Sequence, residues 1–146
     1  MKKFSILLLI CILLTGCKKT DPTLIRFRNE LDSFCENIQI INDDINAITN
    51  ISSDEIGLKQ ASNSLLYQLD LLKDEFVKFS NLDFPSDYDY LEPVADEAAE
   101  YMTEAVGAYH KAFAENYTVS MEEYAHENYA RAYKRVQVIL DALETN

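Results

Sequence analysis

Apolar residues recur along this chain in steps of three and four, the spacing that gathers side chains on one face of an α-helix. After Asp21-Pro22 the positions Leu24, Phe27, Leu31, Phe34, Ile38, Ile41, Ile45 and Ile48 keep that alternation without a break. Asp21 can cap the helix, and Pro22 suits the first helical position, where an N–H is not needed. A second stripe, Leu58, Ala61, Leu65, Leu69, Leu72, Phe76 and Phe79, follows the capping box Ser52 to Glu55. The third runs through Leu91, Ala95, Ala98, Met102, Ala105, Tyr109 and Ala112, with Pro93 tolerated only in its first turn. Ser120 to Glu123 is another capping box, and it opens a fourth stripe of Ala125, Tyr129, Ala132, Val136, Ile139 or Leu140, and Leu143. The spacing therefore predicts helices over 22–50, 53–81, 91–117 and 121–144. Residues 82–90, with Pro85 among aspartates and serine, form the one longer connection, with room for a short helical turn.

Four helices of about 25 residues, each about 38 Å long at 1.5 Å per residue, describe an all-α antiparallel up-and-down four-helix bundle. A three-helix bundle with one long helix is the alternative. The third stripe is rich in alanine and has Gly107 beside it, so that helix is expected to lie closer to its partner than the first helix does. Only three Gly and three Pro stand against 48% hydrophobic residues, which excludes a disordered chain and a turn-rich β-sandwich.

The first segment has a different character. Lys2 and Lys3 precede an apolar run from Phe4 to Leu14, and Leu14-Thr15-Gly16-Cys17 ends it with small residues before a cysteine. A run of eleven residues is too short for a bilayer span, which takes roughly 20 apolar residues. The pattern resembles the lipobox of bacterial lipoproteins. That resemblance implies cleavage between Gly16 and Cys17, a diacylglyceryl group on the Cys17 sulfur, and attachment to a bacterial membrane on the side facing away from the cytoplasm. Two acyl chains on one residue suffice for durable anchoring. The chain then divides into a signal peptide at 1–16, the lipidated cysteine and a short linker at 17–20, and one helical domain at 21–146. Lys18 directly after the anchor is not the aspartate associated with inner-membrane retention, so a host with two membranes is expected to send the protein to the outer one.

Short spacing after the anchor also orients the domain. Lys18, Lys19 and Thr20 reach at most about 11 Å, so the first helix must begin near the lipid headgroups. With alternating helices, residues 82–90 and the C-terminus lie at the membrane end, and residues 50–54 and 116–121 at the far tip. Leu82, Phe84, Tyr88 and Tyr90 are then expected to plug the bottom of the core in preference to sitting at interfacial depth.

Charge narrows the partners. The chain carries a net charge of −12, and removing Lys2 and Lys3 leaves −14, so nucleic acid and other anionic polymers are repelled by most of the surface. Cys11 leaves with the signal and Cys17 takes the lipid, which leaves Cys35 as the thiol of the mature chain, expected in the core beside Phe34.

Chemistry-bearing motifs are few. Glu123 and His126 have the Glu-x-x-His spacing of di-iron bundles, but the required second copy is missing, since Gly107 stands three residues before His110. No Ser-His-Asp signature, glycine-rich phosphate loop or CxxC pair occurs. No catalytic residue, cofactor or metal site is therefore assigned. Eight of nine tyrosines fall in the second half, all but Tyr67. The acidic residues Asp87, Asp89, Glu92, Asp96, Glu97, Glu100 and Glu104 can face Arg131, Lys134 and Arg135 along the third and fourth helices. A groove there, bearing Tyr101, Tyr109, Tyr124, Tyr129 and Tyr133, is the candidate surface for a partner protein, peptide or glycan, unless the rings fill the core. The expected function is a non-catalytic interaction module tethered through Cys17. The alternative is a carrier that holds a small ligand or metal in the bundle core, through groups such as His110, His126 and Glu123.

Overall fold

The computed structural model describes residues 21–51, 55–113 and 118–144. They form α1 (Pro22–Ile51), α2 (Glu55–Ser80), a 3-10 turn at Asp89–Leu91, α3 (Glu92–Ala112) and α4 (Val119–Glu144), with no strand among the described residues. Consecutive helices pack side by side. Between α1 and α2, Asn37 meets Glu75 and Asp44 meets Gln68, so numbering rises on one helix as it falls on the other. Glu97 with Arg135 and Glu104 with Tyr124 repeat that sense between α3 and α4. The protein is an all-α, antiparallel four-helix bundle, and no two of its helices join into the one long helix of the three-helix alternative.

Local chemistry explains most boundaries. Asp21 Oδ1 accepts the Thr23 N–H at 3.0 Å and the Asp21 carbonyl accepts the Ile25 N–H, so α1 starts as its aspartate and proline dictate. Pro93 sits in the first turn of α3. Two boundaries differ from expectation. Helix α3 ends at Ala112 and not at 117, with Phe113 turning out of helical geometry and the Thr118 N–H reaching back to the Ala112 carbonyl at 3.2 Å. Helix α4 begins at Val119, because the Thr118 carbonyl takes the N–H groups of Met121 and Glu122. Thr118 thus holds the capping position, and Ser120 lies inside the first turn. Residues 52–54 of the box at Ser52 to Glu55 lie outside the described residues, as do the segments at 1–16 and 17–20, Cys17 included.

The stripes read from the sequence are the core. Phe27, Leu31, Phe34, Ile38, Ile41 and Ile45 of α1 and Leu65, Leu69, Leu72, Phe76 and Phe79 of α2 are buried, as are all seven apolar positions of the third stripe. Phenylalanine rings organise the end where α1 begins: Phe34 stacks on Phe79 at 4.4 Å, and Phe84 lies 4.6 Å from Phe27. Phe84 and Tyr88 therefore plug that end, Leu82 is half-buried, and Tyr90 stays exposed. The 82–91 connection and the start of α1 share one end of the molecule, also joined by an ion pair between Arg26 and Asp83.

Helices α3 and α4 come together over the longest stretch. Ala98, Ala105, Ala108 and Ala112 on one side and Ala125 and Ala132 on the other are almost wholly buried, and such small side chains let helix axes draw near. Gly107 takes no part in this, because a β-carbon there would meet nothing within 4 Å. The α1 and α4 backbones stand farther apart, and side chains bridge the space between them.

Candidate functional site

Three seams of the bundle carry more than one polar contact among the described residues, and the α2–α3 seam carries the His110–Asp70 pair. The first lies between α3 and α4. Tyr124 donates its hydroxyl to Glu104 at 2.8 Å, and Arg135 pairs with Glu97 at 2.5 Å. Between these, the guanidinium carbons of Arg131 and Arg135 each lie 5.8 Å from the centre of the Tyr101 ring, within range of a cation–π attraction. The sequence expectation that acidic α3 and basic α4 face each other is met by Glu97 with Arg135, while Arg131 turns to Glu127 of its own helix. These contacts fill the seam from within.

The five tyrosines assigned to a groove there part company. Tyr109 is 2% exposed and Tyr133 8%, Tyr129 and Tyr101 are half-buried, and Tyr124 is 46% exposed. Tyr129 and Tyr133 point to the opposite side of α4, towards α1, where Asn42 Nδ2 donates to the Tyr133 oxygen and the Tyr129 hydroxyl donates to Asn42 Oδ1, both at 2.7 Å. Only Tyr101 and Tyr124 belong to the outer α3–α4 seam. Helical spacing already separates Tyr124 from Tyr129, since a step of five residues carries a side chain more than a quarter-turn around the helix, but spacing does not say which neighbouring helix each face meets.

This second seam, between α1 and α4, is a buried polar network inside an apolar core. Burial pushes the Tyr133 phenol up to about 12, and burial also raises Tyr129 well above its ordinary value, with Tyr133 beside it adding to the shift. Tyr109 is raised as well, by burial first and by the Glu122 carboxylate second. Its hydroxyl and the Asn128 Nδ2 are buried with no hydrogen-bond partner among the described residues, although Asn128 Oδ1 accepts from Arg131 at 3.3 Å. Asn42 and Asn128 were not singled out in the sequence. The signal was present for Asn42, a polar residue directly after Ile41 on the inner edge of an otherwise regular stripe.

The third seam is an open groove of about 310 Å³ between α1 and α2, beside the end where α1 begins. Its floor is Phe34, Phe79 and Leu82. Arg26, Glu30 and Asn37 stand on the α1 wall, and Glu75 and Lys78 on the α2 wall. Glu75 accepts from Asn37 at 2.9 Å and Lys78 at 2.5 Å; burial raises its carboxyl, but these two donors outweigh that and hold it below the usual carboxylate range. Glu30 is held loosely, with Oε1 3.5 Å from Arg26 Nε and no hydrogen-bond partner for Oε2 among the described residues. Nothing in the apolar periodicity marks this groove, because its polar residues occupy positions that read as ordinary solvent-facing ones.

The residues suggested for a core carrier do not converge. His110 is exposed and lies 3.1 Å from Asp70 of α2, and Glu123 and His126 are exposed on α4. Among the described residues no group of three His, Cys, Asp or Glu side chains could hold a metal ion. No described helix is long and apolar enough to cross a membrane. No family model, curated protein or solved structure matches the chain.

Proposed function

We propose that this chain is a bacterial lipoprotein, held on the outer side of a cytoplasmic or outer membrane by lipid on Cys17, whose helical bundle serves as a non-catalytic interaction module. Its partner is another envelope, phage-derived or plasmid-derived protein, peptide or glycan. The observation that carries the reading is the Leu14-Thr15-Gly16-Cys17 pattern set four residues before the Asp21 cap of α1. A folded domain that starts so soon after an acylated residue must stand close to the bilayer, with the 82–91 connection on its lower side. The outward placement of His110, Glu123 and His126 supports a role without catalysis, since general acid–base work needs such groups brought together around a substrate. Val119, Met121 and Tyr124 are exposed on the first turns of α4, at the end remote from the start of α1, and are the apolar groups best placed to meet a partner approaching from outside.

Intact mass of the protein extracted from its host membrane tests the tether. The expected species starts at residue 17 and carries diacylglyceryl there, and Cys17→Ser moves the protein out of the membrane fraction. A photo-crosslinking residue at position 121 is expected to capture a discrete partner in intact cells, while one at position 90 gives lipid adducts. Recovery of an unmodified Cys17 overturns the tether, and crosslinks from neither position overturn the module.

A further inference from the structure

We propose that the outer face of α3 and α4 is the surface through which two copies of this chain pair, about a two-fold axis parallel to the helices, with α3 of each copy against α4 of the other. The proposal adds a second copy to the interaction reading and does not need the tether.

Charge along the two helices selects this partner. Glu100 and Lys111 stand eleven residues apart on α3, and Glu123 and Lys134 stand eleven apart on α4. Eleven residues are close to three turns, so each pair lies on one line along its helix, about 16 Å apart. All four side chains are exposed, and none makes a hydrogen bond or ion pair among the described residues. Heights match as well. The pairing of Glu97 with Arg135 fixes the antiparallel register of α3 and α4, and from it Glu100 falls level with Lys134, and Lys111 with Glu123, to within about 3 Å. A rotation about an axis parallel to the helices changes no height, so it sets Glu100 opposite Lys134 of the second copy and Lys111 opposite Glu123 of the second copy. Opposite signs therefore meet at both levels, and each pairing occurs twice. A foreign partner would need the same alternation on its own surface, whereas a second copy carries it already.

Apolar groups line the same face. Tyr124 reaches Glu104 of α3 and Arg131 lies over the Tyr101 ring, so the outer edge of α4 runs through 124 and 131 and on to 138 in steps of seven. Tyr124 is 46% exposed and Val138 41%, and Val94 and Tyr101, also seven apart, are half-buried on the facing edge of α3. The 21 residues of α3 make the face about 32 Å long, and two adjacent helices make it about 20 Å wide. About 600 Å² per copy stands near the lower limit for a specific interface, so the pair is weak and sensitive to salt. The axis leaves the start of α1 at the same end in both copies, an arrangement that a single membrane permits.

The test uses the full chain extracted from membranes in a density-matched detergent, prepared once with ordinary nitrogen and once with its heavy isotope, and mixed. A carbodiimide joins a carboxylate to an ammonium only where the two touch. Mixed light–heavy peptides joining Glu100 to Lys134 and Glu123 to Lys111 are expected. Sedimentation equilibrium is expected to give a dimer that weakens as salt rises to about 1 M, where charges are screened within about 3 Å. Lys134→Glu should weaken dimerisation about tenfold, because it brings like charges together at two points, and adding Glu100→Lys should restore it. Both substitutions lie at exposed positions, so the far-ultraviolet spectrum should stay helical throughout. Crosslinks confined to light–light and heavy–heavy peptides, a monomer at every concentration up to about 1 mM, or a double variant no tighter than the single one overturns the proposal. A dimer formed by a chain with unmodified Cys17 leaves this proposal standing while the lipoprotein reading fails, and a monomer that carries diacylglyceryl does the reverse.

Discussion

Asn42 uses both ends of its amide, giving Nδ2–H to Tyr133 and taking the Tyr129 proton on Oδ1, and in doing so it links α1 to α4 where their backbones do not meet. A buried amide is costly when half its bonds are lost. Tyr133→Phe is therefore expected to destabilise the fold by about 1 to 3 kcal/mol, measured by urea unfolding, because the Asn42 donor then has no acceptor. Tyr109→Phe should be close to neutral by the same measurement, since its hydroxyl has no partner to lose among the described residues. Alkaline pH tests the same groups together. Tyr109, Tyr129 and Tyr133 all have folded pKa values raised above that of an unfolded tyrosine, chiefly by burial. Above pH 10 the unfolded chain loses those protons while the folded chain keeps them, so the stability is full below about pH 10 and falls as pH climbs towards 12. The urea midpoint should drop steadily between pH 9.5 and 11.5, and Tyr133→Phe should flatten part of that slope.

At the scale of the elements, α3 and α4 are held by alanines and by a polar ladder on their outer edge. Ala105 is wholly buried in that contact, and Ala105→Leu is expected to cost about 1 to 3 kcal/mol in thermal or chemical unfolding, because two closely packed helices have no space for the added carbons. Gly107 behaves oppositely. It is exposed within the helix with nothing near its missing β-carbon, so Gly107→Ala should stabilise the protein by up to about 1 kcal/mol through helix propensity alone. The pair separates two readings of one small-residue stripe. Sequence placed alanines and glycine together as aids to close approach, whereas their angular positions on α3 send the alanines to α4 and the glycine to solvent. Helix starts show the same limit: Ser120 and Thr118 are both capable caps, and the choice fell to Thr118, whose carbonyl receives the first N–H groups of α4.

Across the whole molecule, the end where α1 begins is the most heavily built. Phe84 inserts from the connection against Phe27 and Phe79, closing the bundle beneath its core. Phe84→Ala should cost about 3 to 5 kcal/mol and lower the thermal midpoint more than any substitution named above, since it empties a site bounded by two other phenylalanines. The element order, the core stripes and the cap of α1 were legible in the sequence, because step spacing and a proline after an aspartate act locally, whatever the rest of the chain does. The stripe of α4 was legible only in outline: Tyr133 and Asn128 are buried where spacing pointed to Tyr129, because a helix turns its buried face according to which neighbours it has. The candidate sites divide in the same way. Amino-acid order alone decided that four amphipathic helices would form, that the chain would carry a strongly negative net charge, and that a lipobox-like cysteine would precede them closely. Packing decided which tyrosines meet Asn42 and which meet Arg131 and Glu104, which helices draw together, and where a groove with charges of both signs opens over a phenylalanine floor. The reason is geometric. Periodicity tells which side of one helix avoids water, while the rotation and offset between helices determine which polar groups meet along their seams.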